Sequence, residues 1–348
     1  MFRNRLDNAK LQAADINMTD PYQTILDSLS RAKRVLVTTH VRPDGDALGS
    51  TAAMVLGLRQ KNIDAEVLLL SHLPSKYAFI YQDCGIVHHD AEAGWPASLS
   101  LDRFDCFLVI DTGTWSQLPG VRERIENWNV PKLVVDHHLT QENWATHKLV
   151  VTQAAAAGEI VAELLELWDI PVDVSIATAL YLGIATDTGW FQFSNTRPYT
   201  MRLAALLMEA GVDTDRLYKL LYQNERAERI ALQARAMQSL ELLADNRVAV
   251  MTVRQSDFQA TGANVPDTES LINVPLQIAT VEVSILLVEP KDSGPIRVSL
   301  RSKGTVDVAR FAEQFGGGGH ARAAGLKLEG DIASAHARVV AAALGKVI

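Results

Sequence analysis

Residues Val35–Ser50, VLVTTHVRPDGDALGS, decide how this chain is read. The run Val35-Leu36-Val37-Thr38-Thr39 is β-branched and apolar, the composition of a buried strand. It stops at His40, and Asp44 and Asp46 follow inside a turn that holds Pro43 and Gly45. From Ala47 to Gln60 the apolar spacing is that of a helix. One imidazole and two carboxylates therefore sit in a loop at the C-terminal end of a strand, directly before a helix. In open α/β sheets that edge is where ligands bind. Two Asp in a turn also serve turn chemistry alone, so the stretch needs company before it carries a function.

The chain has 348 residues, room for two domains at roughly 100–200 residues each. Apolar residues make up 48% and charged residues 21%, the balance of a soluble globular protein. No apolar run approaches the ~20 residues of a membrane helix. The N-terminal stretch MFRNRLDNAKLQAADINMTD lacks the apolar core of a signal peptide. Cys84 and Cys106 cannot build a disulfide framework, so a reduced, cytoplasmic compartment is expected and no membrane partner. A net charge of −8 argues against binding duplex nucleic acid by bulk electrostatics. It leaves room for a small anionic substrate in a local, metal-rich cleft.

Residues 1–17 read as loosely ordered, and 21–32 as an amphipathic helix. Strand-like runs at Val35–Thr39, Ala65–Leu70, Cys106–Ile110 and Lys132–Val135 are separated by helical segments, which predicts a doubly wound parallel sheet. After about residue 155 the chain turns helical, through GEIVAELLELW, VSIATALYLGIATD and RPYTMRLAALLMEAG. The charged stretch Asp213–Glu241 reads as a helical connector. Strands return at RVAVMTV, ATVEVSILLVE and IRVSLRS, and the chain closes with a helix, a glycine run and a second helix. The expected organisation is α/β throughout: a first domain over 20–212, a connector over 213–240 and a smaller α/β domain over 241–348.

Three further apolar segments end as the first one does. Phe107–Ile110 runs into Asp111, Leu133–Val135 into Asp136-His137-His138, and Ala179–Thr186 into Asp187. An ionised carboxylate at the end of an apolar segment is expensive unless it is paired or binds a cation. One such case is a cap or a turn; four converging on one sheet edge point to a metal centre. Mixed imidazole and carboxylate donors suit Mn²⁺, Mg²⁺, Fe²⁺ or Zn²⁺, and the lack of Cys among them argues against a thiolate zinc site. Six or seven donors are too many for one ion. They match two ions, roughly 3.5–4 Å apart, of the kind that hydrolyse phosphate esters or anhydrides.

The pattern His40-x-x-x-Asp44-x-Asp46, Asp111, Asp136-His137-His138 and Asp187-Thr188, in that order, resembles the four motifs of the DHH phosphoesterase superfamily. The resemblance implies two divalent ions, Mn²⁺ with Mg²⁺ as the alternative. One would be held by His40, Asp44 and Asp111, and the other by Asp46, Asp111, His137 and Asp187, with Asp111 bridging. It further implies that a bridging water is the nucleophile, that His138 faces the substrate phosphate, and that Asp136 orients a ligand.

The second half carries Phe315-Gly316-Gly317-Gly318-Gly319-His320-Ala321-Arg322 directly after a helix. Successive glycines let backbone N–H groups converge on an anion, though such a run also ends helices. His320, Arg322 and the strand end Arg301-Ser302-Lys303 add donors and positive charge. This half is similar to the DHH-associated C-terminal domain, and the likeness maps substrate binding to Arg301, Gly318, Gly319 and His320, with Gly317 a weaker candidate. Domain logic then places the active site in a cleft that closes about a hinge, which limits substrate length.

Among the remaining residues, His72, His147 and His336 are expected at the surface, and His88-His89-Asp90 in a solvated loop. The scattered tryptophans are expected in packing roles. Trp190–Asn195 lies just past Asp187; packing is the first reading, but a base could stack there and Asn195 could bond a substrate. Within the superfamily, a two-domain chain of this length resembles the oligoribonuclease and pAp-phosphatase branch. That resemblance implies Mn²⁺-dependent hydrolysis of short single-stranded RNA (nanoRNA) to mononucleotides and dephosphorylation of pAp. A soluble phosphodiesterase for cyclic or linear dinucleotides is the alternative, and a non-catalytic nucleotide-binding protein the competing class. Apolar helical faces in the first domain fit a homodimer.

Overall fold

The computed structural model describes residues 20–290, 294–304 and 306–347. The N-terminal residues 1–17 expected to be loosely ordered lie outside the described residues. The chain divides between Asn224 and Glu225 into two compact units.

In the first unit every apolar run that reads as a strand is one. The strands are β1 (Arg34–Thr38), β2 (Asp64–Leu69), β3 (His88–Asp90), β4 (Cys106–Ile110), β5 (Lys132–Asp136) and β6 (His147–Val150). They form one sheet in the order β3-β2-β1-β4-β5-β6, and all its pairs are parallel. Alternate side chains enter two different cores. Val35, Val37, Val67, Leu69, Leu108, Ile110, Leu133 and Val135 face one side, and Leu36, Leu68, Phe107, Val109 and Val134 face the other. Burial on both faces is why these strands read as unbroken apolar runs rather than as alternating ones. The strand order reverses direction between β1 and β4. That switch point opens a crevice at the carboxyl ends of the strands, where His40 and Asp111 sit.

The first core is closed by helices, chiefly Pro21–Ser30, Gly45–Gln60, Ala157–Leu167 and Val174–Asp187. The Gly45–Gln60 and Val174–Asp187 helices are apolar nearly all round because both are buried. They touch backbone to backbone. A Cβ at Gly49 would lie 2.3 Å from the Ala179 carbonyl oxygen, and one at Gly183 would lie 2.7 Å from Asp46 Oδ1. Glycine at these two positions thus brings the Asp46 and Asp187 segments together.

The second unit holds β7 (Glu241–Leu243), β8 (Val248–Val253), β9 (Val283–Val288), β10 (Ile296–Ser302), β11 (Gly318–His320) and β12 (Ala323–Leu328). Their order is β11-β12-β10-β9-β8-β7, antiparallel except for the β8–β9 pair. The Val308–Glu313 and Ile332–Val347 helices cover one face, with Phe311, Ala335 and Val339 in that core. On the other face, Leu232, Ala236 and Phe258 pack on Met251, Val253, Leu286 and Val288.

Four expectations change. His88–Asp90, read as loop, is edge strand β3, and the stretch from His147, where no strand was expected, is edge strand β6. Both strands are too short and polar to show an apolar signal. The glycine run is not only a link between two helices, because Gly318–His320 pairs with Ala323–Gly325 as a hairpin. The 213–240 stretch is not a free-standing connector either. Its Thr214–Tyr222 helix belongs to the first unit and buries Leu217 and Leu221, whereas Ala227–Gln238 belongs to the second and buries Leu232 and Ala236. Each helix has a narrow apolar stripe, and the dense charge on its other faces hides it.

Among the described residues no helix is long and apolar enough to cross a membrane. Exchanging Gly49 for Ala would ordinarily favour a helix by about 1 kcal/mol. Here the added methyl meets a carbonyl, so Gly49→Ala is expected to destabilise the fold by about 1–3 kcal/mol, the range of overpacked cores. Thermal or denaturant unfolding of the variant checks the sign; a raised midpoint would refute the close approach.

Candidate metal centre

His40 and Asp111 stand at the ends of the adjacent strands β1 and β4, and His137 and His138 follow β5 directly. Asp44 caps the Gly45–Gln60 helix, its Oδ1 accepting from the Asp46 and Ala47 N–H groups at 3.0 and 3.1 Å. Asp46 lies in the first turn of that helix, fully buried. Asp187 ends the Val174–Asp187 helix. Six of these side chains, His40, Asp44, Asp46, Asp111, His137 and Asp187, drawn from five places in the first unit, come together. His40 Nε2 is 3.8 Å from Asp44 Oδ1 and 3.5 Å from Asp111 Oδ2. His137 Nε2 is 3.3 Å from Asp111 Oδ1, 3.7 Å from Asp187 Oδ2 and 4.0 Å from Asp46 Oδ2. Three overlapping triads result, His40–Asp44–Asp111, Asp46–His137–Asp187 and Asp111–His137–His138, each with its donor atoms within 4.8 Å of one another. The first two hold all six donors, and Asp111 lies against both.

The imidazoles show what belongs between these groups. His40 Nδ1 faces the Val41 carbonyl at 3.0 Å, and His137 Nδ1 faces the Ala154 carbonyl at 3.2 Å. A carbonyl only accepts, so each Nδ1 carries the proton and each Nε2 is turned to the carboxylates. A lone pair aimed at carboxylate oxygens repels them unless a proton or a cation lies between. Asp111 makes the same demand. It is buried, and its Oδ1 meets no hydrogen-bond donor. It is also held in the left-handed region at φ 69°, a conformation with a cost for any residue bearing a side chain. The oxygen and nitrogen donors present fit hard or borderline divalent ions such as Mn²⁺ or Mg²⁺.

The titration behaviour follows from the same crowding. Burial works against a charged His40, yet the Asp111 and Asp44 carboxylates outweigh it and push the imidazole up to about 10. Burial likewise opposes charge on His137, and Asp111, Asp46 and Asp187 raise it in the same way. Burial, then repulsion from Asp111 and Asp187, drives Asp46 well above the usual carboxylate range. Burial raises Asp187 to about 6. Protons thus occupy the cluster when no cation does.

Asp136, expected to orient a ligand, holds the backbone of His137 and both the backbone and the ring of His138. Its Oδ1 accepts from the His137 and His138 backbone N–H groups and from His138 Nδ1 at 2.8 Å, and its Oδ2 accepts from Gln141. The His137 ring is set instead by Ala154. Bonding to Asp136 raises the His138 pKa, and the His138 side chain is half exposed, with Nδ1 already engaged. Nε2 is the ring atom left unengaged, and it is a donor whenever the ring is charged.

Asn195 does not present its amide to a substrate. Its Nδ2 donates to the Ala155 and Asp187 carbonyls at 3.0 and 3.2 Å, and its Oδ1 is buried. The residues that the sequence left unmarked are Ala154–Gly158. Beyond the Ala154 contact, the Ala157 and Gly158 N–H groups donate to the two Asp46 oxygens. Their role is carried by backbone, so side-chain identity announces nothing except smallness.

In the second unit Arg301, Ala323 and His320 share one register row across β10, β12 and β11. Directly paired residues point to the same face, so Arg301 and His320 flank a small Ala on the face opposite Leu300 and Ala324. Gly318 is exposed, and a Cβ there would meet nothing. Gly319 needs its freedom for the hairpin, because a Cβ would lie 2.5 Å from the Ala323 oxygen. Gly317 is corrected. Its N–H is bonded to the Ala312 carbonyl, closing the helix end, and is not free for an anion.

The DHH family N-terminal domain model matches residues 34–184, and the DHHA1 domain model matches 245–346. The bifunctional oligoribonuclease and PAP phosphatase NrnA of Thermus thermophilus is 30% identical over 311 residues, 88% of each chain. This chain belongs to the DHH family. Two solved structures share the DHH fold. An exopolyphosphatase-related protein from Bacteroides fragilis superposes with a TM-score of 0.80 at 22% identity, covering 96% of this chain and 98% of its own. The exonuclease RecJ, crystallised with manganese, gives 0.56 at 16% identity, covering 95% and 96%.

An ion held by His40 and His137 would need their unprotonated Nε2 and would expel the protons these groups hold near neutrality. Mn²⁺ titrations in buffers of different ionisation enthalpy should therefore show net proton release, with affinity rising from about pH 7 to pH 9. Affinity flat over that range would contradict the assignment.

Proposed function

We propose that this DHH protein is a Mn²⁺-dependent phosphoesterase that hydrolyses short oligoribonucleotides to mononucleotides and removes the 3′-phosphate of pAp. The observation that carries the reading is the buried, donor-free Asp111 Oδ1 between two His/Asp triads. Asp44, Asp46, Asp111 and Asp187 bring four negative charges to one sheet edge, which two divalent ions would cancel. Likeness to the Thermus oligoribonuclease and PAP phosphatase over 88% of both chains supports the substrate class.

In this reading His40, Asp44 and Asp111 hold one ion, and Asp46, Asp111, His137 and Asp187 the other. The chemistry such ions supply when bound is polarisation of the phosphate and a water made acidic near neutral pH. The chain's own groups do the rest. Nδ1 contacts to backbone carbonyls keep His40 and His137 in the ligating tautomer. The Ala157 and Gly158 N–H groups fix the Asp46 carboxylate at a helix N-terminus. Asp136 bonds His138 Nδ1 and favours the charged ring, the form in which Nε2–H can bond a phosphate oxygen. Arg301 and His320, side by side with Ala323 on the β10–β12–β11 face, are the second unit's own candidates for binding a phosphate.

Purified protein is tested in Mn²⁺, with an EDTA control, against short 5′-phosphorylated RNAs, a long RNA, pAp, a cyclic dinucleotide and pyrophosphate. Metal-dependent cleavage of the short RNAs and pAp is expected, with long RNA spared. Preference for the cyclic dinucleotide would replace the substrate class and keep the chemistry. Asp111→Ala should lose both ions and its turnover together; near-normal Mn²⁺ stoichiometry in that variant sinks the two-ion arrangement.

His138→Ala separates ligand from substrate contact. A group that donates to the reacting phosphate is worth roughly 10²–10⁴-fold in kcat. That loss is expected with Mn²⁺ content intact, and loss of metal would instead make His138 a ligand.

A further inference from the structure

Three of the six candidate ligands depend on one short turn. Ala154 accepts from His137 Nδ1, Ala157 and Gly158 donate to the Asp46 carboxylate, and Asn195 ties the Ala155 carbonyl to that of Asp187. The turn leads into the Ala157–Leu167 helix, whose N-cap Ala156 has no side chain able to cap it. Something else must fix it. Glu159, 1% exposed, reaches back from the first helical turn and accepts the Ala155 N–H on Oε2 at 2.9 Å. The same carboxylate receives the Arg197 guanidinium and the Thr200 hydroxyl, which belong to the start of the Pro198–Glu209 helix. Asn195 lies just ahead of that start. One carboxylate thus joins the segment that sets Asp46 and His137 to the segment that holds Asp187.

Stability alone is a poor reason for this arrangement. A buried ion pair often does no better than apolar residues of the same volume, because desolvation offsets the attraction. The pair is also incompletely satisfied, since Arg197 Nε is buried without a partner. What an apolar pair could not supply is an acceptor for the Ala155 N–H that is braced from a second helix. We propose that Glu159, held by Arg197 and Thr200, is a positioning residue of the metal centre. It touches neither metal nor substrate and sets the geometry of Asp46, His137 and Asp187 through the Ala154–Gly158 backbone. The inference rests on the metal reading of the His/Asp cluster.

The test uses the full chain as Glu159→Gln and Thr200→Val, with the parent and Asp111→Ala as references. Mn²⁺ affinity is read by calorimetry, and the unfolding midpoint is measured without metal. Glu159→Gln should weaken Mn²⁺ binding by about 10–100-fold, the range for groups that orient ligands. Its kcat should fall and recover at high Mn²⁺, with substrate KM nearly unchanged and the metal-free midpoint within a few degrees of the parent. Thr200→Val, which removes a single contact to the carboxylate, should give a smaller loss in the same direction and serves if Glu159→Gln does not fold. Parent-like Mn²⁺ affinity in a folded variant overturns the positioning role. A fall in the midpoint with affinity unchanged overturns it too, leaving a purely structural brace. If the parent itself binds no Mn²⁺, or Asp111→Ala binds it normally, the metal reading fails first and takes this inference with it.

Discussion

Mutual repulsion among Asp44, Asp46, Asp111 and Asp187 is the constraint on which the first unit depends. Carboxylates gathered this closely, two of them buried, are unstable unless protons or cations lie between them. The scaffold does not relieve that repulsion; it holds the groups against it. Asp111 sits at a strand end in a left-handed conformation, and Asp46 is clamped by two backbone N–H groups at a helix start. Both histidines have one ring nitrogen tied to a carbonyl. Each device removes a way in which the side chains could otherwise turn away. A cation then meets donors that are already in place, and little ordering cost remains.

The parallel sheet makes this economical. Its strand order reverses between β1 and β4, so two adjacent strand ends diverge and leave a crevice at their carboxyl edge. His40 and Asp111 come from those two ends, and His137 from the neighbouring β5. The remaining donors come from helix termini packed on the sheet, and the glycine contacts at Gly49 and Gly183 bring those helices close enough. Most donors therefore sit within a residue or two of a strand or helix end, so rigid elements anchor the short segments that carry them.

The second unit solves a different problem with a sheet face. Pairing across β10, β12 and β11 puts Arg301 and His320 on one side of a row whose middle residue is Ala323. A small residue thus stands between two long polar ones in that row. Its glycines serve different ends, since Gly317 and Gly319 allow close backbone contact while Gly318 leaves an open surface.

Much of this was legible in the sequence because burial leaves a compositional mark. Apolar runs gave the four central strands, and a charged or imidazole residue at the end of each run stood out as costly. The donors His40, Asp44, Asp46, Asp111, His137 and Asp187 were visible for that reason. Edge strands β3 and β6 were not, because short polar strands at a sheet edge bury little. The helices at 214–222 and 227–238 read as a connector because their buried stripes hold only two residues each. Backbone roles leave no mark at all. Nothing in the run Ala154–Gly158 says that its N–H and carbonyl groups contact three donor segments, and Asn195 stood out rightly but bonds backbone carbonyls. The sequence by itself determined which side chains are candidates for the chemistry, since the cost of burying a charge is a property of residue type. Only the tertiary structure decided what holds them, since a hydrogen bond to a peptide group depends on where the chain passes and not on which side chain it bears.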